Sequence, residues 1–449
     1  MKLEMRKIPL FVLTCAAFVQ AQDALPLKEA VSVALSKHQA IAASEAGVRA
    51  AESRIQQARS GYLPKVNYTE MYARSDNPVF VFSSLLTQRR FTEQNFLINS
   101  LNRPSALNNF QSQVAVEQNV YDGGQTRHSI RAAELGREVS AEDGRRTRLD
   151  VIAGVVRAYY GSVLAEQSLQ TADEAVRSAQ ADLERAKTVR AAGMSTDADV
   201  LSIEVHLAGV REQQIRRRAD LNVARAALNE ALGLPLDTEH RLTTSLTPAA
   251  LPEAELPEQE KTALAQRPET RQTRLAASLV ETQAASARTS YLPQVFVRGV
   301  LEADRERFVT NGGANWLAAV GLRWNLFNGY ADKARIEEAS HLLRRAQADQ
   351  NRMDSAVRLE VRRAWEDLRA AQVRIEVAKA AVEMARESLR ITKNRYEAGL
   401  ATVTDLLRNE TALLEAGTRH LAAVHDQRVS AVALAAAAGT LNVDSEVLN

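Results

Sequence analysis

Residues 119–123 read Asn-Val-Tyr-Asp-Gly, and residues 325–329 read Asn-Leu-Phe-Asn-Gly, 206 positions later. Residues 192–196, Ala-Gly-Met-Ser-Thr, return at the same spacing as residues 398–402, Ala-Gly-Leu-Ala-Thr. An earlier Tyr-Leu-Pro at 62–64 returns at 291–293, which is 229 positions later. The chain therefore contains two copies of one unit. The 23 extra residues of the first copy lie between Pro64 and Asn119.

Each copy carries a long run of small and apolar residues that are alternately four and three positions apart. In the first copy the run is Val151, Val155, Ala158, Ser162, Ala165, Leu169, Ala172, Val176, Ala179 and Leu183. In the second it is Val357, Val361, Ala364, Leu368, Ala371, Ile375, Ala378, Val382, Ala385 and Leu389. A sustained 3.5-residue period is typical of a coiled-coil seam. We predict a helix over residues 125–189, about 98 Å long at 1.5 Å per residue.

Glycines end these long helices at matching places. Gly193 and Gly399 can adopt the left-handed conformation that closes a helix. Thr196 and Thr402 can then cap the helices that follow. Each copy is thus predicted to hold a helical hairpin with a tight tip. The first copy is also expected to begin with one helix over residues 27–60, stopped by Pro64.

Two stretches with alternating polarity precede each long helix. The apolar sets are Val66, Tyr68 and Tyr72; Val114, Val116 and Val120; Val295, Val297 and Leu301; and Ala318, Val320, Leu322, Trp324 and Leu326. Period two with one apolar face predicts four strands. They form either a small sheet packed on helices or a transmembrane β-segment with its apolar face toward lipid. Four strands cannot close a barrel, and open edges in lipid leave backbone groups unpaired, so the second interpretation requires several chains.

Composition excludes several classes of protein. The 449 residues include 57 Lys and Arg against 55 Asp and Glu, a net charge of +2 that argues against nucleic-acid binding. No internal apolar run approaches the roughly 20 residues of a transmembrane helix. Residues 1–21 read as a secretory signal peptide, with Lys2, Arg6 and Lys7 before an apolar run. Cys15, the only cysteine, would be removed with it or, alternatively, be lipidated.

No catalytic or metal-binding motif is present in the sequence. The histidines show no zinc-site spacing, and HExxH, GxSxG and phosphate-loop motifs are missing. We therefore expect no catalytic residue, cofactor or metal. The predicted organisation is a signal peptide at 1–21, a first repeat at 22–236, a proline-rich linker or equatorial segment at 237–257 and a second repeat at 258–449.

The paired motifs, together with Ala-Gly-Thr-Leu-Asn at 438–442, resemble the TolC family of outer membrane efflux proteins over residues 25–442. The resemblance implies a mainly α fold with transmembrane β: a homotrimer with a 12-stranded barrel in outer membrane lipid, continued by a coiled-coil tunnel through the periplasm. It implies a channel that exports substrates with a periplasmic adaptor protein and an inner-membrane transporter, in efflux or type I secretion. Residues 75–110 and 304–316 would be the extracellular loops.

The resemblance also implies roles for the hairpin tips. The tip residues Gly193, Met194, Ser195, Thr196, Gly399, Leu400, Ala401 and Thr402 would form the periplasmic entrance and dock the adaptor. The gate residues would be Asp199, Tyr396, Asp405 and Arg408. Arg408 stands where the family often has an acidic residue, and Ala401 where it has the gate arginine, so an Arg–Asp latch is not expected.

Alternatives to this interpretation differ in testable ways. Asp199 and Asp405 could simply cap helices. The chain could be a periplasmic adaptor, but adaptors have one hairpin between lipoyl-like halves, whereas this chain is duplicated. A secreted coiled-coil structural protein would need neither amphipathic strands nor glycine tips. An envelope hydrolase lacks support because no nucleophile–base motif is found.

Overall fold

The structure, a computed structural model, describes residues 24–310 and 312–448. The predicted signal peptide, with Cys15, lies outside these residues. The helices are α1 (Leu27–Lys37), α2 (Gln39–Arg59), α3 (Pro78–Thr87), α4 (Ile98–Asn102), α5 (Gln125–Ala191), α6 (Asp197–Leu232), α7 (Leu256–Gln266), α8 (Pro268–Arg288), α9 (Ala331–Glu397) and α10 (Val403–Ala437). The strands are β1 (Ala24–Leu25), β2 (Lys65–Ser75), β3 (Leu107–Tyr121), β4 (Arg241–Leu242), β5 (Gln294–Arg305) and β6 (Gly313–Arg323).

The two long helices follow the predicted seams. Helices α5 and α9 each hold 67 residues, about 100 Å of helix. Val155 and Val361 on the seams are fully buried, because α5 packs against α6 and α9 against α10. The seam prediction is confirmed, although the last four seam residues of α9 are only half-buried in a single chain.

The main core surrounds the middle of α5, where Tyr159 and Tyr160 are fully buried. The Tyr159 hydroxyl donates to Leu25 O (2.7 Å) and accepts from Thr243 N (3.2 Å) and Thr244 N (3.1 Å). These bonds hold the parallel β1–β4 pair against the long helix. The 237–257 segment is therefore partly ordered against the helices at their midpoint.

The prediction of one helix over 27–60 is wrong, because the chain breaks at His38. This residue has an extended ψ of 128°, and its Nδ1 accepts from Ala40 N at 3.1 Å to cap α2. Gly233, at the end of α6, lies so close that a Cβ there would be 2.9 Å from His38 Cα. Helix α1 turns into the core, whereas α2 follows α5, so tertiary packing decides the break.

The four longer strands form one antiparallel sheet in the order β2-β3-β5-β6. Its apolar face carries a row of directly paired residues, Tyr68, Val114, Leu301 and Trp316. Trp316 is 78% exposed and Leu301 63%, so this face packs against no helix of the described residues. The interpretation as a small sheet packed on helices through its apolar face is therefore wrong.

The opposite, polar face carries the row Thr69, Gln113, Glu302 and Asn315. The outer edges of β2 and β6 have no strand partner within the described residues. No helix among residues 24–310 and 312–448 is both long and apolar enough to cross a membrane.

The strand ends differ from the predictions. Strand β6 ends at Arg323, so Trp324 and Leu326 lie beyond it, and Trp324 Nε1 donates to Tyr291 O at 3.0 Å. The strands also extend into the expected loops, which shorten from 75–110 and 304–316 to 76–106 and 306–312. The first loop contains α3 and α4, which the sequence patterns did not predict.

Candidate functional site

Both hairpins close with the same backbone geometry at the end farthest from the sheet. Gly193 and Gly399 have φ of +77° and +73°. Met194 N donates to Val189 O (3.1 Å) and Leu400 N to Arg395 O (2.7 Å), which closes the final turn of each long helix. Met194 and Leu400 are 75% and 69% exposed. Each tip thus presents an apolar side chain on a tight turn.

A capping box begins the second helix of each hairpin. Thr196 Oγ1 accepts from Asp199 N, and the Asp199 carboxylate accepts from Thr196 N at 3.1 Å. Thr402 and Asp405 repeat this arrangement at the same distances. Hydrogen bonds from these threonines hold the pKa of both carboxyls below its ordinary value. Both aspartates therefore do cap helices.

The other two predicted gate residues lie near these caps. Burial raises the pKa of the Tyr396 phenol, and the charges of Asp199 and Asp182 add to the rise. Tyr396 packs on the apolar cluster between α5 and α6. Arg408 forms no ion pair within the described residues, but its charge helps to lower the pKa of Asp405. The structure brings Tyr396 toward Asp199, and Arg408 toward Asp405.

A set of titratable residues joins the two hairpins about one and a half to three turns from the tips. We call Asp182, Arg185, His206, Lys393 and Glu410 the bridging layer. Asp182 Oδ1 on α5 lies 3.3 Å from Lys393 Nζ on α9 and 3.3 Å from Arg185 Nη1. Glu410 on α10 lies 3.3 Å from His206 Nε2 on α6. The layer therefore links all four long helices.

Asp182 is the most buried member of the layer. Its side chain is 3% exposed, and no donor among the described residues reaches its buried Oδ2. Burial raises the pKa of Asp182 to about 6, and Glu410 adds to the rise through a hydrogen bond and its charge. Burial also acts to raise the pKa of Glu410, but hydrogen bonds from His206 and the Asp182 carboxyl hold it below its ordinary value. The environment of the pair therefore favours the protonated form of Asp182 and the ionised form of Glu410.

The bridging layer was not predicted from the sequence. Asp182 directly precedes the seam residue Leu183, and its counterpart 206 positions later is Ser388, so the repeat gives no signal. An aspartate beside a coiled-coil seam could have marked the position, but its partners Lys393 and Glu410 come from two other helices. Among the described residues no cluster of three His, Asp, Glu or Cys side chains is arranged to hold a metal ion.

The outer membrane efflux protein family matches residues 30–234 and 261–440. The chain belongs to this family. It is 28% identical over 423 residues to protein CyaE of Bordetella pertussis, covering 93% of this chain and 85% of that protein. It is 23% identical over 415 residues to the outer membrane efflux protein BepC of Brucella suis, covering 89% and 82%.

The fold is likewise that of solved outer membrane channels. The Campylobacter jejuni CmeC outer membrane channel aligns with a TM-score of 0.76 at 18% identity, covering 94% of this chain and 87% of that one. This efflux protein is thus an outer membrane channel-tunnel with its long helices in the periplasm, as predicted.

Proposed function

We propose that three copies of this channel-tunnel assemble into one exit duct, with their twelve strands closing a single barrel in the outer membrane. The observation that carries the proposal is the sheet, which has an exposed apolar face and two unpaired edges. In lipid, each unpaired backbone group at those edges would cost several kcal/mol. Closure around a ring of copies removes both edges at once.

Strand direction supports this closure. Successive strands alternate, so β2 and β6 run in opposite directions. The β6 edge of one copy can therefore pair antiparallel with the β2 edge of the next. Two copies would give eight strands, whose side chains fill the interior, whereas three give twelve strands with room for a pore. The polar face then lines the pore, and the apolar face meets lipid.

The hairpin tips would be the periplasmic end of the duct. Residues 193–196 and 399–402 would dock a periplasmic adaptor, and Asp199, Tyr396, Asp405 and Arg408 would line the entrance. Met194 and Leu400, exposed on rigid turns, are suited to an apolar contact with such a partner. The chain would perform no chemistry itself, and an inner-membrane transporter would supply the energy for export.

Cysteine cross-linking of the two edges tests the shared barrel. Thr69→Cys on β2 is combined in turn with cysteines at Asn315, Leu317 and Ala319, which share its face of the sheet. Oxidation in membranes should link chains into dimers and trimers in at least one combination. Ala318→Cys, on the opposite face, is the matched control and should link poorly. No cross-linking in any combination would contradict the proposal.

A further inference from the structure

The 23-residue excess of the first repeat lies in the loop 76–106, which folds back over the sheet. Strand β3 leads directly into α5, so this loop lies at the end of the sheet far from the tunnel helices. Its helix α3 contacts β3, β5 and β6. The loop therefore covers part of the sheet rather than extending away from it.

Contacts at the end of α3 show which face it covers. Gln88 Nε2 donates to Asn109 Oδ1 at 2.9 Å, and Asn109 Nδ2 donates to Asp304 Oδ1 at 2.6 Å. By the strand register, Asn109 and Asp304 belong to the polar face. A Cβ on Gly313 would lie 1.7 Å from Thr87 O, so only glycine fits beneath the helix. Helix α3 lies on the polar face, at its outer end.

The anchoring of α3 is buried. Gln88, Asn109 and Asp304 are 3%, 6% and 1% exposed. Arg89 Nη2 also donates to Ala314 O at 3.0 Å, and Arg90 Nη1 lies 3.0 Å from Glu306 Oε2. These contacts tie the end of α3 to two strands and to the second loop, although no partner for Asp304 Oδ2 is found among the described residues.

The two sides of α3 differ in exposure. Val81, Ser84 and Gln88, spaced three and four residues apart, are buried toward the sheet. Val79, Ser83 and Leu86 form the other side, with Val79 76% and Leu86 49% exposed. An apolar side thus points away from the polar face, which lines the pore if the proposed trimeric barrel is correct.

We infer that this exposed side of α3 is a contact surface for the same helix in two other copies, and that three α3 helices close the outer mouth of the barrel. The inference rests on the proposed function. Twelve strands about 4.8 Å apart and tilted by about 40° enclose a circle about 24 Å across. That circle joins the strand backbones, and three helices about 10 Å in diameter already need about 22 Å to lie side by side. Three α3 helices inside the rim must therefore contact one another and fill the mouth.

The second loop provides a reference site outside this surface. Phe308 packs on Phe110 with ring centroids 6.0 Å apart, and Phe110 belongs to the apolar face. Residues 306–310 of this loop therefore lean toward the outside of the proposed barrel, and Val309 is 89% exposed. A change at Val309 alters exposed apolar surface at the same end of the molecule without touching α3.

Labelling of intact cells tests the inference. The probe is a polyethylene-glycol maleimide too large for general porins, and Cys15 is the only native cysteine. A reporter, Glu117→Cys, lies on the polar face toward the tunnel end of β3. We expect it to be protected in the native chain and labelled several-fold faster when Leu86→Lys is added, because three ammonium groups would repel at the barrel axis. Val309→Lys is the matched control and should leave the reporter protected.

A second variant replaces residues 77–105 by a short Gly-Ser linker and should also expose Glu117→Cys. If Glu117→Cys is labelled rapidly in the native chain, while Val309→Cys is also labelled and the chain is trimeric, the closure is wrong but the barrel stands. If Val309→Cys cannot be labelled from outside, the orientation of the barrel is wrong as well. Protection that persists in both the Leu86→Lys and linker variants would also overturn the closure.

Discussion

Replacing Asp182 with asparagine should remove a pH-dependent weakness from the bridging layer. Asn keeps the size of the side chain and can donate a hydrogen bond to Glu410 without titrating. In the native chain the pKa of Asp182 is raised from 3.8 to about 6. At Asp182 the folded chain therefore holds a proton between about pH 4 and 6 that the unfolded chain has released, whereas the lowered pKa of Glu410 acts in the opposite direction around and below its ordinary value of 4.5. Stability consequently falls as the pH rises through this window.

The shift in the pKa of Asp182 sets an upper limit on how much stability is lost as the pH rises. A rise of about two pKa units corresponds to at most about 3 kcal/mol. Arg185 and Lys393 lie 3.3 Å from Asp182 Oδ1 and favour its ionised form, but burial and Glu410 outweigh them. Local opening near the tips should thus become up to about a hundredfold more frequent from pH 4 to 7 in the native chain. In Asp182→Asn it should change little over the same range.

Hydrogen–deuterium exchange of the last three turns of α5 and α9, corrected for the intrinsic effect of pH, measures this opening. Glu184→Gln is the matched control, because its side chain is 74% exposed on the same helix. It should keep the native pH dependence. Equal pH dependence in Asp182→Asn and the native chain would refute the reasoning, as would protection that increases with pH.

Three further predictions follow from the tips and the core. Tyr159→Phe should lower the free energy of unfolding by about 2 kcal/mol, because Leu25 O, Thr243 N and Thr244 N all lose their hydrogen-bond partner. Tyr160→Phe should lower the free energy of unfolding much less, because no partner of that hydroxyl is found in the described residues. Thermal unfolding of both variants measures the difference. Thr402→Ala should cost the first turn of α10 about 1 kcal/mol, seen as faster amide exchange there, whereas Thr402→Ser should not. Arg408→Asp should shift single-channel permeability toward cations, and an unchanged ratio would remove Arg408 from the entrance.

Features set by local sequence were predictable. The 3.5-residue seams, the glycine tips and the threonine caps each depend on residues within a few turns of one another. The duplication reinforced these signals, because both tips repeat 206 positions apart. The alternating strands were also predictable, although Trp324 and Leu326 continue the pattern past the end of β6.

Features set by contacts between distant segments were not predictable from the sequence. The break at His38 depends on the approach of Gly233, almost two hundred residues away. The pKa of Asp182 is raised by burial between packed helices and further by Glu410, which α10 brings beside it. Helix α3 rests on Asn109 and Asp304 from two strands, so its place on the polar face is visible only in three dimensions.

In the proposed trimer, the four strands of one chain form a third of a barrel. Native mass spectrometry of protein extracted from the outer membrane in mild detergent tests it most directly. We expect particles of three copies, which separate only under conditions that also unfold the strands. A stable monomer, or a dimer with eight strands, would contradict it.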